Sequence, residues 1–277
     1  MKPADFRSDL TPDWCPGCGN YGIVSALTRA LAELGKTPDS VALVSGIGCS
    51  AKTVHYLAAY GLHTLHGRGL PIAQGIKLAR PELTVVAIAG DGDGMGIGAG
   101  HFVAAGRRNV DLTYLLFNNE VYGMTKGQAA PTLEFGARPK GLARPNPQGR
   151  INPLLLAFSS GYTFIARGYA FDVPGLARLI AEAIRHPGLA FVEILQPCPT
   201  YNDLHTREWF KERIYYLERE PQDEAEFFAR AGEWGDRVPL GVFWRRLEPT
   251  FAERLGLKEK KKAPAERAES LLDGVRL

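Results

Sequence analysis

The chain has 277 residues, enough to bury a full hydrophobic core, and we expect one large domain with extensions. Its 33 basic residues are balanced by 30 acidic ones, and a net charge of +3 argues against a nucleic-acid-binding protein. No apolar stretch is long enough to span a bilayer, and the first residues lack the apolar core of a secretion signal. We therefore expect a soluble, cytoplasmic protein with no membrane contact. The basic run from Lys258 to Lys262 is interpreted as a solvated tail.

The predicted elements alternate between strand and helix along most of the chain. Short β-branched apolar runs predict buried strands, and amphipathic stretches predict the helices between them. In chain order, strands are expected at 41–45, 85–89, 112–117, 163–167 and 190–195, and helices at 20–34, from about 52, and at 70–79, 98–108, 174–184, 209–219 and 224–231. The alternation predicts an α/β fold, a doubly wound parallel sheet with helices on both faces. Residues 127–153 are rich in Gly, Pro and basic residues, which predicts a long functional or disordered loop.

The strongest functional signal is the run from Gly90 to Gly94, Gly-Asp-Gly-Asp-Gly, which follows the second predicted strand. A glycine-rich loop between a buried strand and a helix can bring backbone N–H groups close to phosphate oxygens. Asp91 and Asp93 would repel a bare pyrophosphate, but Mg²⁺ binds through one or two carboxylates plus substrate phosphates and would remove that conflict. Asn118 and Asn119 end the next strand, so a parallel sheet returns them to the same edge, where amide oxygens can complete the coordination.

A dinucleotide-binding loop is the competing interpretation of this region. Residues 94–99 satisfy the pattern G-x-G-x-x-A, and Glu120 follows at about the spacing of 20 residues expected for a ribose-binding carboxylate. That pattern leaves Asp91, Asp93 and the Asn pair unexplained. Diphosphate with Mg²⁺ is therefore the preferred prediction, and nicotinamide binding stays open as the alternative.

The four cysteines, Cys15, Cys18, Cys49 and Cys198, all fall in predicted loops. Free cysteines that only fill a core would be expected inside strands or helices, because the thiol behaves as a small apolar group. Four thiolates suit either a tetrahedral Zn²⁺ or an iron–sulfur cluster, and the spacing does not separate the two. The Cys-x-x-Cys pair alone could also be a redox dithiol. Because the loop that carries Cys49 ends at the same sheet edge as Asp91, we expect the thiolates to lie close to the diphosphate site.

These motifs resemble a known family. Gly90-Asp91-Gly92, followed 28 positions after Asp91 by the second Asn of a pair, resembles the thiamine-diphosphate-binding motif. The longer match, which continues from Asn118 to Thr125, is similar to the β subunits of 2-oxoacid:ferredoxin oxidoreductases. The likeness extends from Trp14 to about Asp203. It implies a thiamine-diphosphate-binding domain with cluster ligands at 1–203 and a C-terminal extension at 204–277, which we expect to form a subunit interface.

The resemblance also implies the ligands of three cofactors. Mg²⁺ would be held by Asp91, Asn119 and the main-chain oxygen of Val121. A [4Fe–4S] cluster would be held by all four cysteines, whose flanking sequences match the family's. Thiamine diphosphate would lie along Ile47, Gly48, Cys49, Ser50, His66, Gly92, Asp93, Gly123 and Met124. Lys52 and Lys126 are the candidates for binding a substrate carboxylate.

The activity implied by the resemblance is oxidative decarboxylation of a 2-oxo acid by coenzyme A, with electrons passing through the cluster to ferredoxin. The family's aminopyrimidine ring is activated from a separate pyrimidine-binding domain, for which this chain has no room. We therefore expect a heterodimer with an α subunit that carries it. Two alternatives stay open: an NAD-dependent oxidoreductase with a structural zinc, and a non-catalytic, zinc-stabilised assembly subunit.

Overall fold

The computed structural model describes residues 1–257. The strands are β1 (Val41–Ser45), β2 (Tyr60–His63), β3 (Thr84–Gly90), β4 (Leu112–Asn118), β5 (Val121–Tyr122), β6 (Gln128–Ala129), β7 (Phe164–Tyr169), β8 (Leu189–Leu195), β9 (Ile214–Tyr216) and β10 (Val238–Arg245). The α-helices are α1 (Asn20–Glu33), α2 (Gly69–Ala79), α3 (Ala99–Arg108), α4 (Pro153–Ser160), α5 (Val173–Arg185), α6 (Arg207–Arg213), α7 (Glu224–Gly232) and α8 (Phe251–Arg254). A 3₁₀ helix spans Ser50–His55, and a π-helical segment spans Gly92–Ile97.

Eight of the strands form one sheet in the order β2-β1-β3-β4-β8-β7-β10-β9. The pairs from β2 to β7 are parallel, whereas β10 is antiparallel to β7. After β1 the chain crosses to β2 on one side, and after β3 it crosses to β4 on the other. The carboxyl ends of β1 and β3 therefore flank a topological switch point, the position at which open α/β sheets bind ligands.

Each face of the sheet carries its own hydrophobic core. One core lies under α1 and α5, with Leu27, Leu31 and Ile180 fully buried. The other lies under α2, α3, α4 and α7, where the ring of Phe102 stacks on that of Tyr162 at a centroid distance of 4.5 Å. The prediction of a doubly wound α/β fold with helices on both faces is confirmed.

The structure corrects several of the predicted elements. The helix expected at 209–219 ends at Arg213, because the next residues pair with β10 as strand β9. The helix expected from about Lys52 is a short turn, Ser50–His55. Helix α4 was not predicted, because its sequence is mostly apolar and shows no amphipathic pattern. Asn152 caps its first turn by accepting the N–H of Leu154 at 3.0 Å. Strands β2 and β10 were also missed.

The segment after residue 203 packs on the sheet of the main domain. Phe210 is buried, and the rings of Trp209 and Trp234 lie 5.9 Å apart, so these aromatic side chains pack largely within the chain. Tyr216 and Phe228 stay more exposed, at 54% and 44%. The division at residue 203 and the interface role of the extension stay predictions. The basic run 258–262 lies outside the described residues. Among the helices of residues 1–257, none is long and apolar enough to cross a membrane.

Candidate functional site

A cavity of about 180 Å³ opens at the switch point between β1 and β3. Its lining comes from the segments that follow β1, β2, β3 and β4: Ile47, Gly48, Cys49, Ser50, His66, Gly90, Asp91, Gly92, Asp93, Asn119, Val121, Tyr122, Gly123, Met124 and Thr125. The structure thus brings together every residue predicted to contact the diphosphate cofactor and the three predicted to bind Mg²⁺. Their roles stay predictions, but they share one concave site.

Asp91 is the most deeply buried acid of this cavity, with 1% of its surface exposed. One carboxylate oxygen accepts the backbone N–H of Glu120 at 3.0 Å and the hydroxyl of Thr132. Burial raises the pKa of Asp91 to about 7, and the nearby Glu120 adds to the rise. A carboxylate held in this way is suited to a bound cation.

The turn that follows β4 wraps around Asp91. The side-chain oxygen of Asn119 accepts the N–H of Val121 at 3.1 Å, which fixes the Asn119 amide at the cavity wall. Glu120 adopts a left-handed conformation with φ 65°, which is uncommon outside glycine. Its side chain points away from the cavity. There it contacts His205 and accepts the amide N–H of Asn202 at 3.2 Å.

On the other side of the cavity, the two loops after β1 and β2 are joined by Asp93. Its carboxylate accepts the N–H of Ile47 at 3.1 Å and that of Gly67 at 2.6 Å. His66 Nδ1 lies 2.8 Å from the same carboxylate, in a geometry that does not form a directed hydrogen bond. Ser50 Oγ is buried and has no partner within the described residues. An unpaired hydroxyl in a cavity wall is suited to a phosphate oxygen, since an orphaned buried donor costs free energy.

All four cysteines are free thiols outside helices and strands, as predicted. A side-chain carbon placed on Gly123 would lie 3.6 Å from the Cys49 sulfur and 4.0 Å from the Cys198 sulfur, so both thiols approach the cavity at one point. Burial raises the pKa of Cys18 to about 12, and the charges of Cys198, Cys49 and Cys15 add to the rise.

The geometry of the thiols bears on which metal they suit. Within residues 1–257, no three His, Cys, Asp or Glu side chains converge closely enough to hold one metal ion. A tetrahedral Zn²⁺ with bonds of about 2.3 Å needs its sulfurs within about 4 Å of each other. An iron–sulfur core instead binds its thiolates through several iron atoms.

The two predicted substrate-binding lysines have different surroundings. Lys52 forms an ion pair with Asp13 and does not line the cavity. The Asp13 hydrogen bond raises the pKa of Lys52. Lys126 is exposed, follows the cavity residue Thr125, and has no side-chain partner in the part of the chain that the structure describes.

A chain of buried polar contacts lies behind Asp91 and was not predicted from the sequence. The Thr132 hydroxyl lies 2.9 Å from the side-chain oxygen of Asn118, whose amide donates to Glu193 at 2.7 Å. Glu193 in turn pairs with Arg167 at 2.7 Å. An acid and a base facing each other from buried strands is a signal available in the sequence, but Thr132 lies in a long loop with no local signal.

Two protein families match the chain over adjacent segments. Residues 38–194 match the family described as thiamine pyrophosphate enzyme, C-terminal TPP binding domain. Residues 198–260 match the family described as the C-terminal part of the pyruvate ferredoxin oxidoreductase beta subunit. Together they cover the sheet, the cavity and the segment after β8.

Curated relatives and a solved structure resemble more than nine-tenths of the chain. It is 52% identical over 277 residues to the 2-oxoacid:ferredoxin oxidoreductase subunit beta of Saccharolobus solfataricus, covering 94% of this chain and 88% of that one. It is 37% identical to the 2-oxoglutarate synthase subunit KorB of Archaeoglobus fulgidus, covering 91% and 92%. The 2-oxoglutarate:ferredoxin oxidoreductase from Magnetococcus marinus, solved with 2-oxoglutarate, coenzyme A and succinyl-CoA bound, superposes with a TM-score of 0.88 and 36% identity, covering 98% and 96%.

Proposed function

The chain belongs to the β subunits of the 2-oxoacid:ferredoxin oxidoreductases, which carry a thiamine-diphosphate-binding domain, and we propose that it joins that cofactor to a [4Fe–4S] cluster of its own. The proposed reaction converts a 2-oxo acid, coenzyme A and two oxidised ferredoxins into an acyl-CoA, CO₂, a proton and two reduced ferredoxins. The proposed location of the enzyme is the cytoplasm. Each ferredoxin accepts one of the two electrons released as the 2-oxo acid is oxidised to the acyl level.

The observation that carries the proposal is the shared cavity. Cys49 lines it beside Asp91 and Ser50, and its sulfur approaches the same glycine as that of Cys198. One wall therefore supplies groups for a phosphate and its cation, and the adjoining wall supplies thiolates. This contiguity supports electron transfer over a short distance between the two groups.

Asp91, Asn119 and the Val121 carbonyl would hold Mg²⁺ against the diphosphate, because they offer three hard oxygen ligands at one edge of the cavity. Ser50 would donate its unpaired hydroxyl to a phosphate oxygen. Asp93 would act by tying the Ile47 and Gly67 backbones into a cradle of fixed width. Thiamine diphosphate supplies the carbanion chemistry when bound, and the protein supplies placement and electrostatics.

Lys126 is the stronger candidate for the substrate carboxylate. The Lys52 ammonium is already neutralised by Asp13, whereas Lys126 is unpaired within the described residues and follows the cavity wall. Replacing Lys126 by methionine should raise the KM for the 2-oxo acid more than the same change at Lys52.

The cavity supports the need for a partner. Its volume of about 180 Å³ is below the range of about 300–1,000 Å³ typical of complete small-molecule sites. Two apolar side chains of its wall, Ile47 and Met124, are 37% and 49% exposed. We propose that the α subunit's pyrimidine-binding domain covers this face and completes the site.

The test is anaerobic purification of this chain, alone and co-expressed with an α subunit. We expect about four irons and four sulfides per chain, and 2-oxo-acid-dependent reduction of methyl viologen by the complex but not by the single chain. Zinc without sulfide, or NAD reduction without thiamine diphosphate, would contradict the proposal and favour the zinc-containing alternatives. Full turnover by the single chain would contradict the need for a partner.

A further inference from the structure

Gln196 lies between the predicted cation site and the cysteines. It follows the last residue of β8 and is 2% exposed. Its side-chain oxygen accepts the amide N–H of Asn119 at 2.8 Å. Its side-chain nitrogen donates to the Cys18 sulfur at 3.3 Å. One buried amide therefore contacts a residue of each predicted cofactor site.

The position of Gln196 is fixed by its surroundings. Its backbone N–H donates to the Asn118 carbonyl at 2.8 Å, and its side-chain nitrogen also lies 2.9 Å from the Pro197 carbonyl. The residue that faces it is a glycine, since a side-chain carbon on Gly19 would come within 2.9 Å of the Gln196 Cγ atom. The chain thus leaves room for this amide and orients both of its ends.

We propose that Gln196 is a positioning residue that bridges the two sites, orienting the Asn119 amide toward Mg²⁺ and donating a hydrogen bond to the cluster ligand Cys18. The inference rests on the proposed function, because it needs a cluster at Cys18 and a cation at Asn119. It goes beyond that function by assigning one residue outside both ligand sets a role in each.

Two consequences follow from the two contacts. Hydrogen bonds to ligand sulfurs favour the reduced, more negative cluster and raise its reduction potential. Partners that hold a ligand's other polar atom orient it, and their removal typically weakens metal affinity by about 10–100-fold. Gln196 should therefore affect the cluster potential and the Mg²⁺-dependent cofactor affinity together.

The experiment compares Gln196→Leu and Gln196→Glu with wild type in the anaerobically purified complex. Redox titration followed by electron paramagnetic resonance gives the cluster potential, and calorimetry with thiamine diphosphate and Mg²⁺ gives the affinity. Gln196→Leu loses both contacts. The equilibrium constant for one-electron reduction of the cluster should therefore fall about tenfold, which lowers the potential by about 59 mV. The affinity for thiamine diphosphate in the presence of Mg²⁺ should fall about 10–100-fold. Gln196→Glu keeps an acceptor for Asn119 but loses the donor to Cys18, and its negative charge also disfavours the reduced cluster, so the potential should fall further than in Gln196→Leu while the affinity should not fall.

The control is Gln74→Leu, which removes another buried glutamine, on α2, that contacts neither Cys18 nor Asn119. It should leave both measurements at wild-type values. Unchanged potential and affinity in Gln196→Leu, or an equal shift in the control, would overturn the bridge. If the leucine variant does not fold, Gln196→Glu, which nearly matches glutamine in volume, tests the bridge by its effect on the potential alone: an unchanged potential would overturn the contact with Cys18. A wild-type complex without iron and sulfide would instead overturn the proposed function, and the bridge with it.

Discussion

Two carboxylates, Asp91 and Glu193, are equally buried but differently compensated. Each is 1% exposed, and they lie on opposite sides of the Thr132–Asn118 contact. Glu193 faces the guanidinium of Arg167 at 2.7 Å, so its charge is balanced within the protein. Among the described residues, Asp91 is held by the Thr132 hydroxyl and by backbone N–H groups, and burial raises its pKa to about 7.

This difference in charge compensation distinguishes a residue that stabilises the fold from one that is suited to bind a ligand. A buried charge that has its counter-charge nearby holds elements together, whereas one without a counter-charge costs free energy until a ligand supplies it. Asp91 is a buried charge of the second kind. The Ser50 hydroxyl of the same cavity is uncharged, but it likewise lacks a partner among the described residues. Substitutions on each side of this contrast should therefore have different effects.

The largest effect on stability is expected on the scaffold side. Arg167→Met leaves Glu193 charged and buried without its partner, so the free energy of unfolding should fall by about 3–5 kcal/mol. The double variant Arg167→Met with Glu193→Gln removes both charges and should recover most of that loss. Denaturant unfolding measures both, and a double variant no more stable than the single one would show that the pair does not act through charge.

The next effect is a pH dependence of the cofactor-free protein. The folded pKa of Asp91 is raised from 3.8 to about 7, so the folded state holds its proton more tightly than the unfolded state. This group's contribution to stability is present below pH 4 and is lost as the pH rises to 7, by an upper limit on the order of 4 kcal/mol. Asp91→Asn should therefore stabilise the cofactor-free chain at pH 7 but not at pH 4. A gain of equal size at both pH values would contradict the assignment.

A smaller effect is expected from the hydroxyl that orients Asp91. Thr132→Val removes the donor and should weaken Mg²⁺-dependent binding of thiamine diphosphate by about 10–100-fold, as for other partners of metal ligands. Thr113→Val is the matched control, since Thr113 is a buried threonine at the far end of β4. Equal affinities in the two variants would mean that the hydroxyl does not position the carboxylate.

Sequence reasoning recovers the parallel sheet and the residues at its carboxyl edge, because both follow from short-range patterns. Apolar runs locate β1, β3, β4 and β8, and the residues directly after a strand must lie at its end. The Gly-Asp-Gly run and the Asn pair are therefore brought together by topology alone. The edges of the fold follow less well: β9 and β10 are placed by pairing with each other and with β7, which no local pattern encodes.

The residues that support the site are harder to predict, because they act across large sequence separations. Thr132 is 41 positions from Asp91, and His205 is 85 positions from Glu120. Gln196 is 178 positions from Cys18, and only its place directly after β8 and before Pro-Cys-Pro hints at a role. Such contacts depend on how loops fold back over the sheet.

The most direct test of the uncompensated carboxylate is titration calorimetry with thiamine diphosphate in the presence and absence of Mg²⁺. Asp91→Ala removes the proposed cation ligand and should abolish Mg²⁺-dependent binding. Glu193→Gln removes an equally buried carboxylate and should retain binding in the folded fraction, although the protein is less stable. Unchanged affinity in Asp91→Ala, or loss of binding in both variants alike, would contradict the claim that Asp91 is the carboxylate left for a ligand.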